Sequence, residues 1–397
     1  MIRTAGICAE IMKLLISSIS SDDSLAEKTH ALKKMSQVFA RYGGLLGKIA
    51  QILSLEVETT NVFDKCDPIS SSITHEYMMG EVSEWDIYDE VLEINPEIYK
   101  AGSLGQVYKA VLHGRDQVIV KVQLLGIEDN VKEDLKILDF LVRHVYSLTQ
   151  FENAILDIKE QIQCETNYLK EAEFQQIMRD LNHDDENIII PKIHRELCTK
   201  ETIVMEYMEG CESLADFIKS GTTEEKSHIG NLLLKFVFEN LYKNGIYYSD
   251  NHYGNFLVKD KKTLCVLDFG SISKFDEDHV ENLRKIHLSM LDEDRSLFMK
   301  TMEDIGIITD NVPEETKEFF YNKMLTHYKP FSDPCFTFDA AWIEKTSDTN
   351  VELMKELSLP RNVILLHKIP YGLYHILEKL ETKVDSVKYI NDTYVRK

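Results

Sequence analysis

No Cys-x-x-Cys pair occurs anywhere in these 397 residues. The seven cysteines (Cys8, Cys66, Cys164, Cys198, Cys211, Cys265 and Cys335) are scattered, with no His-rich segment beside them. That spacing does not fit the usual zinc modules and suits reduced packing residues in a cytosolic compartment. Long apolar runs are missing too: none approaches the roughly 18–20 residues of a membrane helix, so no transmembrane segment is expected. Positive charge is scarce. Lys and Arg number 45 against 67 Asp and Glu, a formal charge of −22, which argues against a nucleic-acid footprint while leaving room for a local basic pocket. There is no internal repeat and no low-complexity tract. Residues 1–21 carry Arg3 and an apolar middle, but Glu10 and Lys13 interrupt it, a poor match to a secretory signal. Ile7, Ile11, Leu14 and Leu15 fit better an amphipathic helix that packs on the body or lies on a membrane surface. The chain is expected to be cytoplasmic, with peripheral membrane contact or organellar association left open.

What is present is an ordinary globular composition, 44% apolar and 28% charged, long enough for one large two-lobed domain or two to three smaller ones. Its most informative stretch runs from Tyr247 to Gly270. Asp250 and Asn255 stand five positions apart in a loop, and the apolar runs Phe256–Val258 and Leu264–Leu267 flank a polar turn, Asp260–Thr263. This pattern predicts a hairpin. A hairpin returns Asp268 to the neighbourhood of Asn255, so that three oxygen-bearing side chains converge. Magnesium prefers oxygen ligands and shares them with substrate phosphates, which makes a Mg-nucleotide site the immediate expectation.

Upstream, Leu32, Met35, Phe39, Leu46, Ile49 and Leu53 recur at mostly helical steps around Gly43-Gly44, predicting two helices. Lys48 and Gln51 lie on one face of the second; spacing alone reads them as a solvated face. Residues 66–74 read as a loop, and helical patterning resumes from His75 toward Leu92. Beyond Asn95-Pro96, the small-residue turn Ala101-Gly102-Ser103-Leu104-Gly105-Gln106 feeds two strands, one reaching Leu112 and one at Val118–Val122. Such a turn lets backbone amides approach phosphates. Lys121, inside the second apolar strand, is either an edge lysine facing water or a lysine with a partner. Helices are predicted over residues 128–147 and 154–181, the latter carrying Glu165, Asn167 and Glu171. Strands follow at Lys192–Leu197 and Thr202–Tyr207, then a connector at Met208–Gly210. Helices resume from Ser213 and again from about Asp276 to the end.

The order of these parts resembles that of protein kinases: small-residue loop, strand lysine, helix glutamate, connector, Asp with Asn five later, Asp-Phe-Gly. In detail the chain resembles the UbiB/ADCK family of atypical kinase-like proteins. The carrying residues are Lys48-Ile-Ala-Gln51, Ala101-Gly-Ser-Leu-Gly-Gln-Val107, Lys121-Val-Gln123, Glu165-Thr-Asn-Tyr-Leu-Lys-Glu171, Asp250, Asn255 and Asp268-Phe-Gly270. The resemblance implies an α+β, two-lobed protein-kinase-like fold. Residues 1–92 would be an N-terminal helical extension packed over the active site, 93–208 the N-lobe, and 209–397 a mostly helical C-lobe. It implies that Lys48 and Gln51 are site residues and that the entrance for a protein substrate is covered. Only a few residues separate Gly270 from the helix near Asp276, and no Ala-Pro-Glu follows, so a long activation segment is not expected.

By the same resemblance ATP and Mg2+ are the expected ligands. Lys121 would hold the α- and β-phosphates, oriented by Glu171, with Asp250 positioning or deprotonating the acceptor and Asn255 and Asp268 holding the metal. Ala101, Gly102, Ser103, Gly105, Gln106, Glu206, Met208 and Glu165 would line the nucleotide site. The acceptor would be a small molecule or lipid, linked to isoprenoid-quinone metabolism. A nucleotide-binding pseudokinase and a conventional Ser/Thr protein kinase are the alternatives. Four positions depart from the family pattern: Gly102 for alanine, Asn167 for aspartate, Ala50 for glycine, and Tyr248 where His or Gln is usual.

Overall fold

The computed structural model describes residues 91–95, 97–101, 105–123, 127, 131–133, 135–136, 152–333, 336–347, 356–358, 360, 372–384 and 387–396. Lys48, Gln51, Gly102 and Ser103 lie outside them, as does nearly all of the expected N-terminal extension. The fold is α+β and divides into two compact units. Of the described residues, one holds those up to Ala172 together with Lys192–Tyr207, the other Glu173–Pro191 and those from Met208 onward.

The first unit is built on an antiparallel sheet of β1 (Val91–Ile94), β3 (Gly105–Leu112), β4 (Gln117–Gln123) and β6 (Thr202–Glu206) in that order, with the short β2 (Lys100–Ala101) also on β3. Two-residue alternation sorts its faces. Tyr108, Ala110, Leu112, Val118, Val120 and Val122 bury one side with Leu197 and Val204. Lys121, paired across the sheet with Val107 and Ile203, belongs to the other. Val91 and Leu92 belong to a strand where helical patterning was expected to continue; the antiparallel register Val91↔Leu112 supplies the long-range partner that local periodicity lacks.

A second departure concerns residues 154–181. Instead of one helix there are two, Glu152–Glu165 and Tyr168–Leu181, interrupted at Thr166-Asn167. The Asn167 side chain accepts from Leu169 N at 3.2 Å, and Tyr168 N donates across the unit to Lys200 O at 2.9 Å. Asn competes with the helix for backbone hydrogen bonds, and here that competition is reinforced from a distant turn. The expected strand over Lys192–Leu197 is also corrected: Ile193 makes a single bridge to Met205, and Arg195–Leu197 is a 3-10 turn.

In the second unit β5 (Ile188–Ile189), β10 (Thr263–Val266), β9 (Phe256–Lys259) and β7 (Cys211–Ser213) form one sheet, and β8 (Ile246–Tyr248) pairs with β11 (Ile272–Lys274). The expected hairpin is β9–β10. Its turn places both Asp260 (φ 50) and Lys261 (φ 59) in the left-handed region, with Lys262 N donating to Lys259 O at 3.1 Å, as a type I′ turn requires. Every residue of β10 is buried, as suits a strand flanked on both sides.

The main helix, Thr223–Asn244, starts in a capping box between Thr222 and Glu225 and ends at left-handed Gly245. Its apolar side, including Leu233, Leu234, Phe236 and Val237, joins Phe256, Val266 and Phe269 in the larger core. No disulfide joins Cys164, Cys198, Cys211 or Cys265, although the thiols of Cys211 and Cys265 lie 3.7 Å apart. Among the described residues no helix is long and apolar enough to cross a membrane.

Candidate functional site

In the second unit the β8–β11 ladder and the β9–β10 hairpin fix the acidic loop from both sides. Ser249 N and Ser249 Oγ both donate to Ser271 O, at 3.1 and 2.9 Å, extending the pairing one residue past β8. Asp250 follows immediately. Its carbonyl accepts from Asn255 Nδ2 at 3.0 Å and from His252 N at 2.9 Å, so the loop closes on itself. Leu267 N donates to Asn255 O at 2.9 Å, which brings Asp268, the next residue, alongside Asn255. The Asp268 Oδ1 atom accepts from Gly270 N at 3.0 Å, and Phe269 between them is fully buried in the core. Asp250 and Asp268 are partly exposed, and the Asp250 carboxylate has no hydrogen bond among the described residues. With Asn255 donating through nitrogen, its Oδ1 is left to accept. Asn255 Oδ1 and the Asp268 carboxylate are thus an all-oxygen donor pair of the kind a hard divalent cation takes together with phosphate oxygens. Among the described residues no group of three or more His, Cys, Asp or Glu side chains could hold a metal ion.

In the first unit Lys121 Nζ donates to both carboxylate oxygens of Glu171, at 2.8 and 3.0 Å. The Glu171 side chain is 1% exposed and that of Lys121 20%, so the carboxylate is the more deeply buried partner. The helix break explains the placement: restarting at Tyr168 puts Glu171 in the first turn of a new helix, where the helix dipole favours a carboxylate. The same restart sets the Tyr168 ring under the ammonium, 4.9 Å from Nζ to centroid. Tyr168 was not singled out in the sequence; its position inside the Glu165–Glu171 motif was the available signal. Gly105 faces this tyrosine, and a Cβ there would lie 2.5 Å from Tyr168 Oη and 2.6 Å from Val122 O. The glycine is needed for close approach.

Residues 61–302, well over half of the sequence, match the ABC1 atypical kinase-like domain. The chain belongs to the ABC1 atypical kinase-like family. A probable serine/threonine-protein kinase of Dictyostelium discoideum, abkA, is 23% identical over 98% of this chain and 76% of its own length. The mitochondrial atypical kinase COQ8 of Saccharomyces cerevisiae is 24% identical over 92% of this chain and 76% of its own length. Among solved structures, a Mycobacterium tuberculosis protein in complex with erythromycin superimposes with a TM-score of 0.66 at 22% identity, covering 95% of this chain and 98% of the other. That likeness speaks to the fold.

The remaining expected residues of this ABC1-family chain fall as follows. Glu165 is buried at the end of its helix, and Ala101 pairs with Gln106 at the mouth of the small-residue turn. Gln106 is buried on the sheet face opposite Lys121 and accepts from Tyr108 Oη at 2.6 Å, so its side chain is not brought to the Lys121 face. Glu206 ends β6 with its carboxylate accepting from Lys192 N at 3.1 Å, and Met208 is buried two residues later. Past Gly270, Ser271–Phe275 are all that precede Asp276, whose carboxylate caps the helix Glu277–Leu291 by accepting from His279 N at 2.9 Å. The short segment expected from the sequence is what the structure has.

Proposed function

We propose that this chain binds Mg-ATP and either hydrolyses it or transfers its terminal phosphoryl group to a small-molecule or lipid acceptor. The observation that carries the reading is the Lys121–Glu171 pair, an ammonium held by a buried carboxylate on a sheet that begins in a small-residue turn. Phosphoryl transfer needs little covalent chemistry from a protein; positioning and charge compensation are the task. Lys121 compensates the α- and β-phosphates, and Glu171 fixes its direction. Asp250, whose carboxylate is not engaged by its neighbours, orients the attacking hydroxyl or water. Asn255 and Asp268 would hold magnesium, which when bound supplies positive charge against the phosphate oxygens. Ala101, Gly102, Ser103 and Gly105 offer backbone amides to the phosphates, and Glu206 and Met208 meet the base through backbone groups. The segment that precedes β1, with Lys48 and Gln51, serves as a cover over the protein-substrate entrance.

The relation to atypical kinases with COQ8 names makes an isoprenoid-quinone or other lipid-related acceptor, and an organellar setting, the favoured extension. Phosphate release from Mg-ATP, measured with and without lipid vesicles in the wild type and Asp268→Asn, tests the proposal. Release by the wild type that Asp268→Asn abolishes is expected; equal background rates in both would remove turnover from the reading. Asn167 favours a second reading, a nucleotide-binding regulatory module without turnover. It carries no charge, and its Oδ1 accepts from Leu169 N, so it stands where the family pattern has an acid but contributes none. A rise in melting temperature with Mg-ATP and no phosphate release selects that reading.

A further inference from the structure

Cys211 opens β7 and Cys265 lies within β10, and their thiols are 3.7 Å apart. β9 runs between the two strands. Cys211 pairs with Lys259 and Cys265 with Leu257, two positions apart on β9, so both thiols stand on the same face of the sheet. Cys265 is fully buried, whereas Cys211 is half-buried on an edge strand. One sulfur is thus held in the core and the other lies toward the surface.

The separation decides what can join them. A disulfide needs its sulfurs at about 2.05 Å and its Cα atoms within about 7 Å. Strands two places apart in a sheet stand about 9–10 Å from each other, so a direct S–S bond calls for the backbone to shift. A shared metal ion asks for far less. With metal–sulfur bonds of about 2.3 Å, two thiolates on one ion stand about 3.8 Å apart at the tetrahedral angle and about 4.6 Å apart in line. The pair already has the first spacing, and the second is within about 1 Å, a displacement an edge strand can absorb.

The donor set decides which ion. Zinc takes four ligands in structural sites, and among the described residues no third His, Cys, Asp or Glu joins these two thiols. Thiolates select soft ions, and Cu(I) is the soft ion that two sulfurs satisfy. We propose that Cys211 and Cys265 form a two-thiolate site for a monovalent copper ion. Burial raises the Cys211 pKa against the opposing Cys265 contact and Lys259 charge, so this side chain rests as a thiol. Binding converts Cu+ and two thiols into one bis-thiolate complex and two protons, with no change of oxidation state. The ion ties the strand that follows Met208–Gly210 to the strand that leads into Asp268. The site stands whether or not the chain binds nucleotide.

The full chain, reduced and kept anaerobic, is titrated with Cu(I) against bathocuproine disulfonate. Iodoacetamide labelling followed by mass spectrometry then reads each cysteine separately. One equivalent of Cu(I) is expected to protect Cys211 from labelling in the wild type, and one equivalent of Zn(II) to leave it open. Cys211→Ser is expected to lose one bound copper per chain, whereas Cys198→Ser, whose thiol donates to His194 O at 3.3 Å, loses none. In Cys265→Ala the protection of Cys211 is expected to disappear, which an ion held by Cys211 alone would not show. Unchanged copper stoichiometry in Cys211→Ser, protection by zinc equal to that by copper, or protection that survives in Cys265→Ala would each overturn the site. Where Cys265→Ala does not fold, the first two outcomes decide.

Discussion

Lys121 and Glu171, fifty residues apart in the chain, meet so that one ammonium donates to both carboxylate oxygens. The Glu171 side chain is almost wholly buried and that of Lys121 only partly, so the two ends of the pair are not equivalent. Removing Lys121 strands a buried negative charge; removing Glu171 leaves a cation that can still turn toward water. Lys121→Met is therefore expected to destabilise the protein by about 2–4 kcal/mol, Glu171→Gln by less, and Lys121→Met/Glu171→Gln by less than the sum. Urea unfolding of all four proteins checks this. Strict additivity would mean that the pair does not couple.

Gly105→Ala is expected to cost about 1–3 kcal/mol, because the new Cβ meets backbone at Val122 O as well as Tyr168 Oη. Tyr168→Phe in the same chain relieves only the side-chain half of the clash. The melting temperatures of the single and double variants measure the two halves separately.

Gly230 lies inside the long helix Thr223–Asn244, where alanine would ordinarily gain about 1 kcal/mol over glycine. Here the methyl would fall against Thr382, including Thr382 Cγ2 at 2.7 Å, and that threonine is fully buried. Overpacking outweighs propensity at this distance, so Gly230→Ala is expected to lower stability, with Thr382→Ala restoring part of the loss. A gain in denaturation midpoint for Gly230→Ala alone would contradict the packing at this contact.

Burial lowers the pKa of His287 from 6.5 to about 3, with the charge of Arg396 acting in the same direction and the polar Asn391 side chain opposing it. The folded value lies below the unfolded one, so the unfolded chain takes up the proton first. Stability held above pH 6.5 then falls as pH drops toward 3, by about 1.4 kcal/mol per pH unit for this group. His375, whose pKa burial also lowers, adds in the same sense. His287→Phe forfeits the 2.8 Å contact with Tyr242 Oη and starts from lower stability at neutral pH. Its loss between pH 6.5 and 4 is expected to be shallower by up to one proton. Parallel acid limbs for the two proteins, from denaturant titrations at each pH, would show that His287 does not titrate as its burial requires.

The hairpin and its turn were legible in the sequence because the signal is local: two apolar runs around Asp260–Thr263, with Asp268 returned beside Asn255. The small-residue turn and Lys121 were legible as an ordered set, and Glu171 as the lysine's partner through family resemblance. The helix break at Thr166-Asn167 was not, since helical periodicity runs through it and the decisive hydrogen bond comes from Lys200, more than thirty positions on. Nor could spacing assign Gln106 to the face opposite Lys121, or find the ring of Tyr168 beneath the ammonium.

The ladder of β8 and β11 ties the entrance of the acidic loop to the exit of Asp-Phe-Gly through three paired residues, and Phe269 is sealed in the core against Tyr248. Swinging Phe269 outward would expose a side chain whose burial contributes about 1.5–3 kcal/mol and would pull on that ladder as well. Inhibitors that work by displacing this phenylalanine would lose that much affinity at the outset. Compounds that leave it in place would not, which makes the conformation of one buried ring a criterion for choosing chemical probes of this protein.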